Sequence, residues 1–297
     1  MTSVIPKVTQ LSSRVIRVLG CNPGYYTLQG TNTYIIGTGK KRALIDCGEP
    51  DVPEYIDSLK EVVSEHGFSL SKIIITHWHP DHVGGTRDVL KHVADKDCKV
   101  FKMKNTQHDP LYSDFFELNF VNDQDEVEVE GATVKLHWTP GHAKDHLALY
   151  LKEEDSLFSG DCVLGEGTVV FEDLLTYLQS LNKITALNSK RLYPGHGPVV
   201  TDPVEKVNEY IDKRMSRERQ IVEALSRIDG GYLTSMEIVK ITYNDSLPPS
   251  LMFGAEHNVR MHLEKLIKED RVETLKLANS VDEELATIKY RLKRSAD

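Results

Sequence analysis

Apolar and polar positions change their period along the chain. Up to about residue 200, short β-rich runs at 14–19, 33–37, 42–45, 72–76, 133–138, 148–151 and 191–193 alternate with stretches of helical spacing such as 52–65 and 86–94. The first strand ends at Gly20. Strands alternating with helices predict an α/β fold. After Gly195-His196-Gly197-Pro198 the pattern turns long, charged and helical, with Asp202 as a cap, Pro203 at the first helical position and a helix running to about residue 228. Asp229-Gly230-Gly231 then punctuates the chain ahead of a compact module. There Thr234-Ser235-Met236-Glu237 has capping-box spacing and opens a short helix. Pro248-Pro249-Ser250 leads into a helix over 250–268 whose apolar residues Ala255, Val259, Leu263, Leu266 and Ile267 share one face. Two helices followed by a β-like stretch at 271–275 predict a winged-helix topology, and no internal repeat or low-complexity tract interrupts the chain.

Composition narrows this picture. The 297 residues are 40% apolar and 27% charged, enough for one large and one small domain. No run approaches the roughly 18 apolar residues of a membrane helix, and no apolar block precedes a small-residue cleavage site at the N-terminus. Membrane insertion and secretion are not expected. The four cysteines, Cys21, Cys47, Cys98 and Cys162, lie far apart without a CxxC pair, which reads as free thiols in a reducing compartment. No acidic residue occurs before Asp46, so the first twenty positions faintly resemble a mitochondrial transit peptide; the run at 14–19 reads instead as a strand. A net charge of −9 argues against a protein that coats nucleic acid generally, while leaving local basic patches open.

Candidate chemistry concentrates in Thr76-His77-Trp78-His79-Pro80-Asp81-His82. On an extended backbone, side chains two apart point to one side, so a strand leaving its sheet after Thr76 projects His77 and His79 together. The turn at Pro80 brings Asp81 and His82 around before Gly84-Gly85 admit a helix. Three more ligand-type residues follow an apolar strand beside a glycine: His142 in Pro140-Gly141-His142, Asp161 in Ser159-Gly160-Asp161 and His196 in Pro194-Gly195-His196. Glycine and proline at strand ends permit turns that leave such side chains at one sheet edge. Seven nitrogen and oxygen ligands exceed the three that one catalytic zinc takes. Two ions use them: His77, His79 and His142 for one, Asp81, His82 and His196 for the other, with Asp161 bridging. Imidazole-rich ligation favours zinc, with manganese or iron as alternatives.

His77-x-His79-x-Asp81-His82 followed by Gly141-His142, Gly160-Asp161 and Gly195-His196 resembles the five-part signature of the metallo-β-lactamase superfamily in its hydrolase branch. Gly20-Cys21-Asn22-Pro23-Gly24, the run from Leu28 to Tyr34, the run from Phe158 to Gly167 and Tyr193-Pro194-Gly195-His196-Gly197-Pro198 are similar to the animal β-lactamase-like protein 2 group, over essentially the whole chain. The resemblance implies a four-layer αβ/βα sandwich, with residues 1–200 as the catalytic domain and 201–297 as a helical linker and winged-helix-like C-terminal domain. It further implies an endoribonuclease acting on single-stranded RNA in the mitochondrial matrix, with the cytosol as the alternative location.

Metal-activated hydroxide would then cleave the phosphodiester, with two zinc ions per chain as cofactor and Asp81 and Asp161 as the carboxylates closest to the chemistry. Asp81 would be a ligand first and a proton carrier second. The rival is hydrolysis of a thioester of the glyoxalase II kind on the same centre; holding glutathione carboxylates calls for lysine or arginine after the bridging aspartate, and residues 161–182 contain neither. A non-enzymatic alternative is an RNA-binding protein with a vestigial pocket. Cys162 is expected to be buried or to stand behind the ligands, and residues 32–34 to continue a core strand, with a role near the metals as the lesser reading. His146, four residues after His142, is expected to pack, to contact substrate or to orient a ligand. His66, His92, His108, His137, His257 and His262 read as surface or packing residues. Arg260, Lys265 and Lys268, away from the apolar face of helix 250–268, together with Lys289, Arg291, Lys293 and Arg294, are candidates for guiding RNA. No membrane contact and no obligate protein partner are inferred, and oligomeric state is left open.

Overall fold

The structure, a computed structural model, describes residues 4–228, 230–243, 247–277 and 287–293. Asp229 and Arg294 lie outside the described residues. Two compact units are present: Met1–Glu172 with Thr176–Asn208, and Asp173–Leu175 with Glu209–Asp297.

In the first unit, β1 (Val8–Gln10), β2 (Val15–Leu19), β3 (Asn32–Ile36), β4 (Lys41–Ile45), β5 (Ser69–Ile75), β6 (Lys99–Met103) and β7 (Leu118–Val121) form one sheet in that order. Pairing is antiparallel from β1 to β4 and parallel from β4 to β7. The parallel crossovers carry helices α1 (Pro53–His66), α2 (Pro80–Val83) and α3 (Thr86–His92). A second sheet has the order β12-β11-β10-β9-β8, built from β8 (Glu126–Val129), β9 (Ala132–Trp138), β10 (Leu147–Leu151), β11 (Ser156–Gly160) and β12 (Arg191–Pro194). Helix α4 (Leu174–Ala186) makes the crossover between the parallel strands β11 and β12.

The period-2 pattern explains the layering. Val15, Tyr34, Ile36, Ala43, Ile45 and Ile74 face the second sheet's Val134, Leu136, Leu147, Leu149 and Phe158, whereas Ile16, Ile35, Leu44, Ile73 and Ile75 turn outward onto Tyr55, Ile56, Leu59 and Val62 of α1. This is the expected αβ/βα sandwich. Each fully buried aliphatic side chain contributes roughly 1.5–3 kcal/mol, and these strands carry many, so their C-terminal ends are held firmly.

The second unit contains most of α5 (Pro203–Ser226), then β13 (Leu233–Thr234), α6 (Ser235–Tyr243), α7 (Met252–Lys268), β14 (Val272–Leu277) and β15 (Thr287–Leu292), with sheet order β13-β15-β14. Asp202 caps α5 by accepting from the Glu205 amide at 3.0 Å. Thr234 and Glu237 exchange bonds as a capping box, Thr234 N–H donating at 2.8 Å and Glu237 N–H returning at 3.2 Å. The winged-helix expectation is met. One expectation is corrected: Lys265 does not present its charge to solvent, because α5 brings buried Glu218 to 2.7 Å from its Nζ and Glu269 lies at 2.8 Å. Lys268 pairs with Asp173, Arg291 with Glu273 and Lys293 with Asp270. Much of the basic charge expected to face RNA is thus already matched. Among the described residues, no helix is long and apolar enough to cross a membrane.

Candidate metal centre

All seven ligand-type residues meet at the strand ends of the first unit. His77 and His79 follow β5, and Pro80 starts the short α2 that presents Asp81 and His82. His142 sits in the turn between β9 and β10, Asp161 directly follows β11, and His196 follows β12. Three groups have ligand atoms within 4.8 Å of one another: His77, His79 and His142; His77, His82 and Asp161; and Asp81, His82 and His196.

The first group is a triangle of ring nitrogens. His77 Nε2 lies 2.9 Å from His79 Nδ1 and 3.2 Å from His142 Nε2, which is 3.0 Å from His79 Nδ1. The tautomers follow from the outer partners. Thr76 Oγ1 gives its proton to Asp46 Oδ2 at 2.8 Å and so accepts from His77 Nδ1–H at 3.0 Å, while His142 Nδ1–H donates to the Val170 carbonyl at 2.7 Å. Both Nε2 atoms therefore aim lone pairs at each other, an arrangement that a hydrogen bond cannot satisfy and a cation can. The spacing is near the roughly 3.3 Å ligand separation of a tetrahedral site with bonds of about 2.0–2.1 Å. Burial, then the neighbouring His82, holds His77 well below the ordinary imidazole range; burial, then His142, lowers His79 to about 4.

The group of Asp81, His82 and His196, with Asp161 beside it, is more acidic. Asp81 Oδ2 lies 3.2 Å from His82 Nε2 and 3.1 Å from His196 Nε2, and Asp161 reaches His82 at 3.4 Å through Oδ1 and His196 at 3.3 Å through Oδ2. Asp161 Oδ2 is also 3.8 Å from His142 Nε2, so one carboxylate touches both groups. His82 Nε2 and Asp161 Oδ1 are buried without a hydrogen-bond partner, the condition of atoms that await a ligand. Burial alone would lower His196, but the Asp161 charge and bonds from Asp161 and Asp81 push it up to about 9; His82 is likewise raised well above the ordinary range against its burial, first by Asp81 and then by Asp161.

Those directions fix a pH dependence. A histidine raised above neutrality is protonated at pH 7 in the metal-free protein and must lose that proton to ligate. Metal uptake at pH 7 is therefore expected to release protons from His82 and His196, with fewer released once the pH exceeds about 9 for His196. Dye-monitored proton release in weak buffer measures this.

Above the ligands lies a cleft of about 570 Å³ walled by Tyr25, Tyr26, Leu28, Leu164, Val169 and Val170, with no lysine or arginine in its lining. Residues 26–196 match the family described as Metallo-beta-lactamase superfamily. The chain belongs to the metallo-beta-lactamase superfamily. Residues 234–277 match the beta-lactamase associated winged helix domain. Over 92% of its length, this superfamily member is 48% identical to a beta-lactamase-like protein 2 homolog of Caenorhabditis elegans, covering 90% of that protein. It is 44% identical to the homolog so named in Drosophila melanogaster, over 95% of this chain and 96% of the relative. An atrochrysone carboxyl ACP thioesterase of Aspergillus novofumigatus is 40% identical over 82% of the chain and 76% of its own length. A metallo-beta-lactamase family protein from Thermus thermophilus shares the fold, with TM-score 0.70 at 22% identity over 96% of this chain and 100% of the other.

Further residues of this metallo-beta-lactamase superfamily member surround the candidate ligands, and two of them, Asp46 and Thr31, were not expected there from sequence. Asp46, in the left-handed region at φ 58° after β4, accepts from the Thr76 amide, the Thr76 hydroxyl and His82 Nδ1–H, each at 2.8 Å. It orients one ligand and the segment that carries two more. The signal was present: Ile45-Asp46-Cys47-Gly48 is an acid after an apolar strand, the setting that marked Asp161. Thr31 donates to Asp81 Oδ2 at 3.2 Å and is itself held by both amide-group atoms of Asn22. Asn32 continues β3 as expected, and its Nδ2 also donates to the carbonyls of Pro194 and Gly197, pinning the turn that bears His196. His146 is an orienting residue. Its Nε2 accepts from the Asp161 amide at 3.1 Å, which makes Nδ1–H the donor to Thr139 Oγ1 at 2.8 Å. Cys162 is buried, and His108 and His262 pack.

Gly195 is required by space. A Cβ there would stand 2.2 Å from Asp161 Oδ1 and 2.9 Å from His82 Cε1. Gly195→Ala is expected to push Asp161 aside and weaken metal binding by at least the roughly 10–100-fold that disturbing a ligand's surroundings costs. Chelator competition on the purified variant reads this directly.

Proposed function

We propose that the protein is an endoribonuclease that cleaves phosphodiester bonds of single-stranded RNA, using two zinc ions held by these seven ligands. The observation that carries this reading is the carboxylate of Asp161 spanning two ligand groups on the floor of a cleft whose wall includes two exposed tyrosines. A pair of cations held there by His77, His79, His142, Asp81, His82, His196 and Asp161 would supply an acidified water and charge neutralisation at the attacked centre. The chain's own residues do the rest. Asp161 ties the two groups at a fixed spacing. Asp81, oriented by Thr31 and 18% exposed, is the carboxylate placed to pass a proton toward the leaving oxygen. Tyr25 and Tyr26 are 87% and 72% exposed with rings edge to face at 5.0 Å, a platform for stacking unpaired bases. With no lysine or arginine in the cleft's lining, cations held by these residues would have to offset the phosphate charge. The proposed location is the mitochondrial matrix.

Thioester hydrolysis is the second reading, favoured by the apolar walls at Leu28, Leu164, Val169 and Val170 and by the 40% identical relative named as an acyl carrier protein thioesterase. Metal-loaded protein incubated in parallel with single-stranded RNA and with an acyl thioester, each beside a chelated control, separates them. RNA cleavage that chelator abolishes is expected; inert RNA where the thioester turns over would reverse the assignment.

A further inference from the structure

The first ligand group draws its histidines from two segments, His77 and His79 after β5 and His142 after β9, which touch directly where the Leu147 amide donates to the Thr76 carbonyl at 2.8 Å. A third segment touches both. On one side, His108 stacks on Trp78, between the two β5 histidines, with ring centroids 3.5 Å apart and planes 6° from parallel, and the Tyr112 hydroxyl donates to the Trp78 carbonyl at 3.3 Å. On the other, Asp145, three residues after His142 and adjacent to His146, is fully buried, pairs in charge with Lys102 (Nζ to Oδ2 2.6 Å) and accepts a hydrogen bond from Asn105 Nδ2 at 3.1 Å.

Residues 102–112 are themselves made stiff by the same charges. Lys102, also fully buried, donates to Asp109 at 2.7 Å and to the Met103 carbonyl at 2.9 Å, and Asp109 accepts from the Asn105 amide. One buried ammonium thus ties the end of β6, the following turn and the loop of His142 into one piece. Burying a lysine between two carboxylates costs desolvation of three charges, and replacing such clusters with apolar groups is often neutral or stabilising.

We propose that residues 102–112 form a clamp that sets the distance between the two histidine-bearing segments, with Asp145 and His108 as its positioning residues for the metal held by His77, His79 and His142. The proposal requires only that these residues bind a metal, and does not depend on whether RNA or a thioester is the substrate.

The test compares metal affinity, by chelator competition, and the d–d absorption of the cobalt-loaded protein in four chains: wild type, His108→Ala, His108→Phe and Asp145→Asn. His108→Ala removes the stack without disturbing any buried charge; phenylalanine restores it. Both His108→Ala and Asp145→Asn are expected to weaken the metal by roughly 10-fold or more and to change the cobalt spectrum, as alterations next to ligands do, with His108→Phe close to wild type. A clamp that merely stabilises the fold would lower the melting temperature and leave affinity and spectrum unchanged, and that result in His108→Ala would overturn the proposal. Equal losses in His108→Ala and His108→Phe would overturn it as well, since stacking would then be irrelevant. Because the His108 pair alone decides, failure of Asp145→Asn to fold leaves the test intact.

Discussion

Asp161→Asn is expected to abolish hydrolysis while leaving the fold and RNA binding in place. The substitution keeps the side chain's size but removes one of the two anionic oxygens that touch His82 and His196, and with it the link to His142. A change beside a ligand costs about 10–100-fold in metal affinity, and the loss of a ligand shared by both groups should exceed that range. Cleavage of labelled single-stranded RNA and its binding, measured on the same preparation, check the outcome. Lost cleavage with retained binding supports an enzyme over an RNA-binding protein with a vestigial pocket, whereas unchanged cleavage defeats the assignment of Asp161.

Asp46→Ala carries the second large effect, on stability as well as metal. Its carboxylate is 2% exposed and is the acceptor for the Thr76 amide, the Thr76 hydroxyl and His82 Nδ1–H. Alanine would leave those donors buried and unmatched, and removing one partner of a buried charged pair costs about 3–5 kcal/mol. Denaturant unfolding of the metal-free protein measures this. Because His82 would also lose the bond that fixes its ring, chelator competition is expected to show a further weakening of roughly 10–100-fold. A loss of metal affinity without a loss of stability would mean that the Thr76 and His82 donors find other acceptors.

The candidate ligands His142, Asp161 and His196 were legible in the sequence because each follows an apolar strand close to a glycine, and His77 and His79 because they leave an apolar strand two positions apart. Asp46 has that setting too, yet its role lies in partners 30 and 36 positions away, Thr76 and His82, which only the pairing of β4 with β5 brings near. The strands of both sheets' centres were legible because Ile73-Ile74-Ile75 and Leu147-Ala148-Leu149 are apolar enough to announce themselves. Strands β6 to β8 were not: Lys99 to Met103 and Glu126 to Val129 mix charged residues with apolar ones, and the edge strand β7 is only four residues long. Lys102 shows why charge misleads: its position in β6 shares a face with Val100, and two aspartates from later segments compensate it there. Lys265 failed in the same way, because helical spacing in α7 reports which face is apolar but not that Glu218 of α5 waits opposite.

The central claim is that these seven side chains hold two cations, and anomalous diffraction at the zinc edge from crystals of the zinc-loaded protein tests it most directly. Two peaks are predicted, one among His77, His79 and His142 and one among Asp81, His82 and His196, with Asp161 between them. A single peak, or none within reach of these residues, would contradict it.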